Sequence, residues 1–269
     1  MKINTNGIDI NYELTGKKGS PVVMLSHSLA CSLVMWQPQM AVLESAFQVL
    51  RFDTRGHGDS DAPHGAYSFE QLAMDAIGLM DALKIDRVHF VGLSMGGMIG
   101  QGLALDYADR LKSLALCDTA AIMPDETQPI WQQRIEAAGE KGLQGQVDET
   151  LERWFRPEYL QQNPPVVEMI RRQILATPVA GYIGCCEAIR RLKYLDRLSK
   201  ITLPTLIVVG EEDPGTPVAA SEAMHERISD SRLVVLPSAR HLSNIEQSEA
   251  FNAALMEFLL QYKFLLDCI

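Results

Sequence analysis

Short apolar runs alternate with segments of helical periodicity along the chain, and this alternation limits the folds that the chain can adopt. Three short apolar runs bounded by turn residues are typical of fully buried parallel strands, namely residues 22–25, 49–52 and 88–93, and residues 111–117 are the next expected strand. Residues 8–14 alternate polar and apolar side chains, which predicts a half-buried hairpin strand. Residues 69–83 have helical spacing, and another helix is expected after Ser94. This order predicts a parallel α/β sheet with helices on both faces.

Residues 121–199 interrupt the alternation with helical segments that follow one another without an intervening strand. The expected helices here are residues 130–138, 147–154, 166–175 and 181–198. The alternation then resumes with a strand at 205–210, a helix at 219–228, a strand at 233–236 and a helix at 246–262. We therefore predict one α/β core domain, residues 1–120 and 200–269, with an inserted helical cap, residues 121–199.

Acidic residues outnumber basic ones, 34 Asp and Glu against 24 Lys and Arg, and the net charge is -10 at pH 7. This balance opposes attraction to phosphate backbones and anionic membranes, so we expect neither nucleic acid nor a membrane as a partner. No apolar run is long enough to span a bilayer, and the N-terminal residues lack the apolar core of a secretory signal. We expect a soluble protein, cytoplasmic if its source is bacterial.

The cysteines are odd in number and contain no C-x-x-C pair. They are Cys31, Cys117, Cys185, Cys186 and Cys268. This spacing favours neither a disulfide framework nor a zinc site, so we expect reduced and mostly buried thiols, and no metal.

Residues 92–96 read Gly-Leu-Ser-Met-Gly, the pattern G-x-S-x-G, between a predicted strand and a predicted helix. Glycines on either side of Ser94 let the backbone turn tightly and project the hydroxyl above the sheet. The N-terminal end of the following helix stabilises negative charge that develops nearby. Ser94 is therefore the predicted nucleophile of an acyl-transfer reaction.

A serine nucleophile needs a general base, and the base needs an acid that fixes its tautomer. In the order Ser, Asp or Glu, His, the acid follows one strand and the histidine follows the last strand. Asp213 follows the strand at 205–210 and is the predicted acid, ahead of Glu211 and Glu212. His241 is the only histidine after the last predicted strand and is the predicted base.

Acyl transfer also requires backbone N–H donors for the oxyanion. Met95, the residue after the nucleophile, is expected to supply the first. The second is expected from residues 26–30, the loop after an early strand, with Leu29 favoured and Ser28 the near alternative. His57 lies in a glycine-rich turn, and we expect it to shape that turn rather than to transfer protons.

Several segments resemble the α/β-hydrolase superfamily along the whole chain and, within it, the 3-oxoadipate enol-lactonases most closely. These segments are residues 25–29, 35–39, 52–60, 92–97, 131–134, 153–155, 176–186 and 241–247. The resemblance implies an α/β-hydrolase fold, with a mostly parallel eight-stranded sheet and an inserted helical cap. It also implies that Ser94 attacks a cyclic ester, that His241 transfers the proton and that Asp213 orients His241, with no metal or organic cofactor.

The same resemblance gives three cap residues their expected roles. Trp131 and Trp154 are expected walls of the substrate pocket, and a place in the cap core is the alternative for both. Arg134 is expected to meet a substrate carboxylate, and a solvated place on the cap is its alternative.

Two departures from the enol-lactonase pattern leave the substrate open. Residues 27–30 read His-Ser-Leu-Ala where the enol-lactonases often carry Asn-Ser-Leu-Gly, and residues 121–129 are rich in proline and acidic side chains. An N-acyl homoserine lactone or a short-chain ester fits a Met- and Leu-rich pocket as well as an enol-lactone does. The net charge of -10 favours neutral lactones over dicarboxylate-type ones. The sequence leaves assembly into homo-oligomers open.

Other functions share parts of this pattern. Carbon-carbon bond hydrolases and cofactor-free perhydrolases use the same Ser-His-Asp arrangement and are the alternative activities. Dehalogenases and epoxide hydrolases carry an Asp where Ser94 stands, which argues against both. A ligand receptor without turnover, on the same fold, is the alternative of a different class.

Overall fold

Eight strands form a single sheet in the computed structural model of the chain, which describes residues 1–263. The strands are β1 (Lys2–Thr5), β2 (Ile8–Gly16), β3 (Val22–Ser26), β4 (Gln48–Phe52), β5 (Val88–Leu93), β6 (Leu111–Cys117), β7 (Thr205–Gly210) and β8 (Ser231–Leu236). Their order across the sheet is β1-β2-β4-β3-β5-β6-β7-β8. β2 pairs antiparallel with β1 and β4, and all other pairs are parallel. The mostly parallel eight-stranded sheet predicted above is confirmed.

Two interior strands of the sheet, β5 and β7, are buried along their whole length. Their continuous apolar sequences suit this position, because helices cover both faces of a parallel sheet. Parallel pairing places the carboxyl ends of β5, β6, β7 and β8 at the same edge of the sheet. The loops that follow these four strands therefore come together at that edge.

The described residues form eleven α-helices, whose starts follow from local sequence in several cases. They are α1 (Gln37–Glu44), α2 (Phe69–Ala82), α3 (Met95–Asp106), α4 (Gln128–Lys141), α5 (Val147–Trp154), α6 (Pro157–Gln161), α7 (Pro165–Ala176), α8 (Val179–Ile189), α9 (Val218–His225), α10 (Ser243–Glu246) and α11 (Ser248–Gln261). The hydroxyl of Ser68 accepts the Gln71 N–H at 3.2 Å and caps α2. A proline stands in the first turn of α4, α6 and α7, where its missing N–H leaves no helical bond unmade.

The helices α4 to α8 follow one another in the chain between β6 and β7. The short helix α6 was not predicted. The division of the chain into a core, residues 1–120 and 200–269, and a cap, residues 121–199, remains a proposal.

The predicted helix at residues 181–198 is wrong in its second half, because α8 ends at Ile189. Beyond it, Lys193 forms an isolated β-bridge with Ile122, and Leu195–Lys200 is a 3-10 helix. The Tyr194 N–H donates to the Ala121 carbonyl at 2.7 Å, so pairing with a distant segment replaces the helical hydrogen bonds.

No helix within residues 1–263 is long and apolar enough to cross a membrane. Four cysteines are free and buried: Cys31, Cys117, Cys185 and Cys186. Cys268 lies outside the described residues.

Candidate active site

Ser94 occupies a strained turn between β5 and α3. Its backbone has φ 55 and ψ -116, a conformation that non-glycine residues adopt only where surrounding structure enforces it. A Cβ on Gly92 would lie 2.1 Å from the Gly96 carbonyl oxygen, and one on Gly96 would lie 2.1 Å from the Ser26 carbonyl oxygen. Both glycines are therefore required for the close approach that aims the Ser94 side chain away from the sheet.

The structure brings together the three residues predicted to act as nucleophile, base and acid. His241 Nε2 lies 2.9 Å from Ser94 Oγ, and His241 Nδ1 lies 2.7 Å from Asp213 Oδ2. Since the ionised Asp213 can only accept, Nδ1 carries the proton and Nε2 is free to accept the serine proton. Glu211 and Glu212, the competing acids, are exposed.

Asp213 is buried and held by the turn that follows β7. Its Oδ1 accepts the N–H groups of Gly215 at 2.8 Å and Thr216 at 3.2 Å, and its Oδ2 accepts the Thr216 hydroxyl at 2.6 Å. Burial alone would raise its pKa, but the charge of His241 and these hydrogen bonds outweigh burial, and the net pKa is lowered. The Asp213 carboxyl is therefore ionised at neutral pH.

Asp118, at the end of β6, is a buried carboxyl that the sequence analysis missed. It accepts the Gly210 N–H at 2.8 Å and the Ser243 hydroxyl at 2.6 Å. Burial, and then the charge of Asp213, raise the pKa of Asp118 to about 8. Its place directly after an apolar strand, like that of Ser94 and near that of Asp213, was the signal that could have found it.

The expected oxyanion donors are the backbone N–H groups of Met95 and Leu29. Met95 is the first residue of α3, so its N–H has no acceptor in a preceding helical turn. Among the hydrogen bonds of residues 1–263, none uses the Leu29 N–H. Leu29 lines the same cavity as Ser94, whereas Met95 is fully buried and is not among the residues that line this cavity. The hydroxyl of Ser28 also lines this cavity and has no partner in the described part of the chain.

A cavity of about 430 Å³ lies beside Ser94 and His241. Besides Leu29, all four predicted pocket residues line it, namely Ser28, Trp131, Arg134 and Trp154. Apolar side chains from the helices α3, α4, α7 and α8 and from the loops also line the cavity: Met98, Met123, Ile130, Leu143, Ile174 and Ile189. The cavity therefore offers an apolar enclosure with a few polar groups, which is typical of small-molecule sites.

Two arginines line the cavity, of which only Arg134 was predicted. The Arg134 guanidinium lies over the Trp131 ring, 4.8 Å from its centroid, and within residues 1–263 it makes no ion pair. Arg153 pairs with Glu149 at 2.5 Å. Burial, and then the charge of Arg134, lower the pKa of Arg153. The positive charges of the two guanidinium groups therefore repel each other. Arg153 immediately precedes Trp154 in α5, a signal that the sequence analysis did not use.

Residues 1–263 contain no group of three or more His, Cys, Asp or Glu side chains that could hold a metal ion. The polar groups that line the cavity include Ser94 with His241 and Asp213, the two arginines, and Glu149. This set is suited to an acyl-transfer reaction on an ester.

Known proteins match this chain along most of its length. Residues 21–248 match the family model described as the alpha/beta hydrolase fold. The chain is 37% identical over 252 residues to 3-oxoadipate enol-lactonase 2 of Acinetobacter baylyi, covering 94% of this chain and 93% of that relative. The crystal structure of the enol-lactonase from Burkholderia xenovorans gives a TM-score of 0.94 at 40% identity, covering 97% of this chain and 100% of that one. A thermophilic esterase from Thermogutta terrifontis gives a TM-score of 0.91 at 32% identity, covering 98% of both chains.

The family match includes the segments that carry Ser94, Asp213 and His241. The resemblance to the α/β-hydrolase superfamily, and within it to the 3-oxoadipate enol-lactonases, is confirmed by these comparisons. The chain belongs to the alpha/beta hydrolase fold family.

Proposed function

We propose that the protein is a serine hydrolase that opens a lactone through an acyl-enzyme on Ser94. The observation that carries this proposal is the continuous hydrogen-bonded row from Ser94 through His241 to Asp213, which lines the cavity. The relatives named enol-lactonase supply the substrate class. The activity falls within carboxylic ester hydrolysis, and the partner is a small ester or lactone.

In the first half of the reaction, Ser94 Oγ attacks the lactone carbonyl while His241 Nε2 takes its proton. The carbonyl oxygen becomes an oxyanion, which the N–H groups of Leu29 and Met95 stabilise. The ring C–O bond then breaks, and His241 returns the proton to the leaving oxygen. Asp213 stabilises the imidazolium that exists between these two proton transfers.

In the second half, His241 takes a proton from water, and the water oxygen attacks the acyl carbonyl. The ester bond to Ser94 breaks and the serine recovers its proton. Because the leaving oxygen of a lactone stays tethered to the acyl group, one molecule must remain in the cavity through both halves. The enclosure by Trp131 and Trp154 suits this requirement.

The substrate class is narrowed by the two cavity arginines. Closing a lactone ring on one carboxyl of a dicarboxylic acid, such as the 3-oxoadipate named for the relatives, leaves the other carboxylate free. Arg134 has no ion-pair partner among residues 1–263, and its charge lowers the pKa of Arg153. We therefore favour a lactone that carries a carboxylate, because Arg134 places in the cavity a guanidinium that makes no ion pair within residues 1–263. Glu149 also lines the cavity and is the ion-pair partner of Arg153.

A general carboxylesterase is the second candidate. The cavity has an apolar lining, and the Thermogutta terrifontis neighbour is named an esterase. The chemistry at Ser94 would be the same, and only the leaving alcohol would differ. N-acyl homoserine lactones remain candidates on the same apolar lining.

The decisive experiment compares wild type with Ser94→Ala on a panel of enol-lactones, N-acyl homoserine lactones and short esters, read by pH-stat. We expect Ser94→Ala to lose at least about 10³-fold in kcat, because the three residues act as a unit. Ser45→Ala is the matched control, since Ser45 is exposed at the end of α1.

Labelling with a fluorophosphonate tests the nucleophile directly, and only the wild type and the Ser45→Ala control should react. Activity of Ser94→Ala within tenfold of wild type would contradict the assignment. Labelling without turnover of any ester or lactone would favour the receptor alternative.

A further inference from the structure

Two buried histidines outside the reacting row hold the loop that follows β3. His27 Nδ1 lies 2.7 Å from the Ser28 carbonyl oxygen, and His27 Nε2 lies 2.9 Å from the Thr54 backbone N. His57 Nε2 lies 3.0 Å from the Ala30 backbone N, and its Nδ1 lies 3.2 Å from the Arg55 carbonyl oxygen. The two rings lie 5.3 Å apart.

The partners fix one tautomer for each ring. A carbonyl oxygen can only accept, so Nδ1 of each ring donates, and a backbone N–H can only donate, so Nε2 of each ring accepts. A protonated ring would direct an Nε2–H at another N–H. Burial lowers the pKa of His27 to about 4, and burial and then the charge of His27 lower that of His57 to about 3. Both rings are therefore neutral at the pH of catalysis.

The hydrogen bond from His27 Nδ1 is made to the peptide group that joins Ser28 and Leu29. The Ser28 carbonyl and the Leu29 N–H belong to the same trans peptide, in which the C=O and N–H bonds point in opposite directions. Holding the carbonyl on the side of His27 therefore turns the Leu29 N–H to the other side. A hydrogen bond to the carbonyl also polarises the peptide and makes its N–H a stronger donor.

The neighbouring contacts complete this clamp. The Ser28 carbonyl also accepts the Cys31 N–H at 3.2 Å, which closes a turn with Leu29 and Ala30 at its centre. Ala30 has φ 58, a left-handed conformation, and its own N–H is held by His57. The peptides on either side of Leu29 are thus fixed, while the Leu29 N–H makes no hydrogen bond within residues 1–263.

We propose that His27, supported by His57, is a positioning residue that aims and polarises the Leu29 N–H as an oxyanion donor. This inference rests on the proposed function, because it requires an oxyanion to form beside Ser94. Within residues 1–263 His27 makes no hydrogen bond to Ser94 or His241, and in this proposal it acts through the Ser28–Leu29 peptide. His57 supports it by holding the next peptide of the loop.

The test compares three substitutions at one position. His27→Leu removes both hydrogen bonds. His27→Asn keeps an N–H donor near the place of Nδ1, for the Ser28 carbonyl, and His27→Gln keeps an acceptor near the place of Nε2, for the Thr54 N–H. We expect kcat to fall about 10- to 100-fold in His27→Leu and His27→Gln, with KM within threefold, and to stay within threefold of wild type in His27→Asn. The fall is smaller than for removing a donor, because the Cys31 N–H still holds the turn.

Inhibition by a trifluoromethyl ketone distinguishes oxyanion stabilisation from a purely structural role of His27, which would not change the inhibition constant. Ser94 Oγ adds to the carbonyl carbon of the ketone, the proton passes to His241, and the negative charge stays on the former carbonyl oxygen. Its inhibition constant should rise in His27→Leu by the same factor by which kcat/KM falls, and should stay unchanged in His27→Asn. Binding of the carboxylate product should not change in either variant.

The outcomes separate this inference from the proposed function. If Ser94→Ala keeps activity within tenfold of wild type, the proposed function is wrong, whatever the His27 variants show. If Ser94→Ala loses activity as expected, a kcat of folded His27→Leu within twofold of wild type would overturn the inference about His27. If His27→Leu does not fold, equal kcat values in His27→Asn and His27→Gln would overturn it.

Discussion

The indole of Trp154 stacks on the imidazole of His241, with ring centroids 6.2 Å apart and ring planes at 30°. The backbone reinforces this contact, because the Leu242 N–H donates to the Trp154 carbonyl at 3.2 Å. Nearby, Arg156 pairs with the buried carboxylate of Glu246 at 3.3 Å. The end of α5 is thus joined to the segment that carries the proposed base.

We expect Trp154→Ala to lower kcat by about 10- to 100-fold, because loss of the stacking surface lets the imidazole shift relative to Ser94. The free energy of unfolding should fall by about 3 kcal/mol, as for other buried aromatic truncations. Trp154→Phe keeps a ring and should stay within about fivefold of wild type in kcat. Steady-state kinetics and guanidinium unfolding measure both effects. Trp131→Ala, which leaves the stack intact, is the control, and equal kcat losses in the two alanine variants would contradict the prediction.

The second prediction concerns Arg134 and Arg153. Replacing either by Gln should raise KM about 10- to 100-fold for a lactone that carries a carboxylate, since hydrogen bonds to charged groups contribute about 1.5–3 kcal/mol. KM for a neutral short ester should stay within about threefold, because that substrate has no carboxylate to bind. Arg172→Gln is the control, since Arg172 is exposed on α7 outside the cavity. A uniform rise in KM for both substrates would refute carboxylate recognition.

The third prediction is an acidic limb above pH 6.5 in the pH profile of kcat/KM. Burial acts to lower the pKa of His241, but the charge of Asp213 and the hydrogen bond to it outweigh burial, and the net pKa is raised. Only the neutral imidazole accepts the Ser94 proton, so activity falls as the pH falls through this raised pKa. Asp213→Asn removes the charge, so the limb should move to lower pH while kcat falls about 10⁴-fold.

The control for this profile is Glu212→Gln, since Glu212 is an exposed neighbour of Asp213. It should leave both the limb and kcat unchanged. An acidic limb that stays in place in Asp213→Asn would show that another group sets it.

The fourth prediction is a loss of stability in acid caused by three buried histidines. Burial lowers the pKa of His27 and of His89 to about 4 and that of His57 to about 3, whereas all three titrate near 6.5 when unfolded. Between these values the unfolded chain binds more protons, so stability falls as the pH falls from 6.5 toward 4. Asp118, with a pKa of about 8, acts in the opposite sense because the folded chain holds its proton.

Glu246 and His241, whose pKa values are also raised in the folded chain, act in the same sense as Asp118 and offset part of the loss. We expect the three histidines to set the sign of the slope, so that the free energy of unfolding falls as the pH falls from 6.5 toward 4. Guanidinium unfolding at pH 5 and pH 6.5 measures this slope. His89→Leu removes one titrating group and should reduce the slope by about 1.4 kcal/mol per unit. His64→Gln is the control, because His64 is exposed. Equal slopes in the two variants would rule out the linkage.

Most of the sheet, and the positions of Ser94, Asp213 and His241 after its strands, were predictable because their signals are local. Each buried strand is a short apolar run, and Ser94, Asp213 and His241 each follow such a run in a turn-rich segment. Asp118 also follows a strand, but a single carboxylate after an apolar run belongs to no motif. Its hydrogen-bond partners, Gly210 and Ser243, lie far from it in sequence and are close to it only in the folded chain.

Nonlocal pairing explains the errors in the helical segment between β6 and β7. Helical periodicity continues past Ile189, yet the bridge between Ile122 and Lys193 ends the helix. The choice between Arg134 and Arg153 as cavity residues depends on how α4 and α5 pack together, which the spacing within one helix does not reveal. The structure shows that both line the cavity.

The last prediction concerns the contact between α8 and the turn after β4, where two glycines meet. A Cβ on Gly181 would lie 2.0 Å from the Gly56 carbonyl oxygen, and Gly56 itself has φ 81. Backbone cannot give way as a flexible side chain can, so Gly181→Ala must displace α8. We expect the free energy of unfolding to fall by at least about 2 kcal/mol, and KM to rise because Tyr182 and Ile189 of α8 line the cavity.

Gly139→Ala is the matched control for this displacement. Gly139 lies inside α4, and a Cβ there would meet only Ile183 Cδ1 at 3.9 Å, which is ordinary contact. Because alanine loses less conformational freedom on folding, this variant should gain about 0.5–1 kcal/mol with unchanged KM. Opposite signs for two glycine-to-alanine changes in neighbouring helices would show that the Gly56–Gly181 approach, and not helix propensity, governs how α8 sits over the site. Two variants of equal stability would mean that α8 accommodates the methyl group without cost, and the contact would then have no part in shaping the cavity.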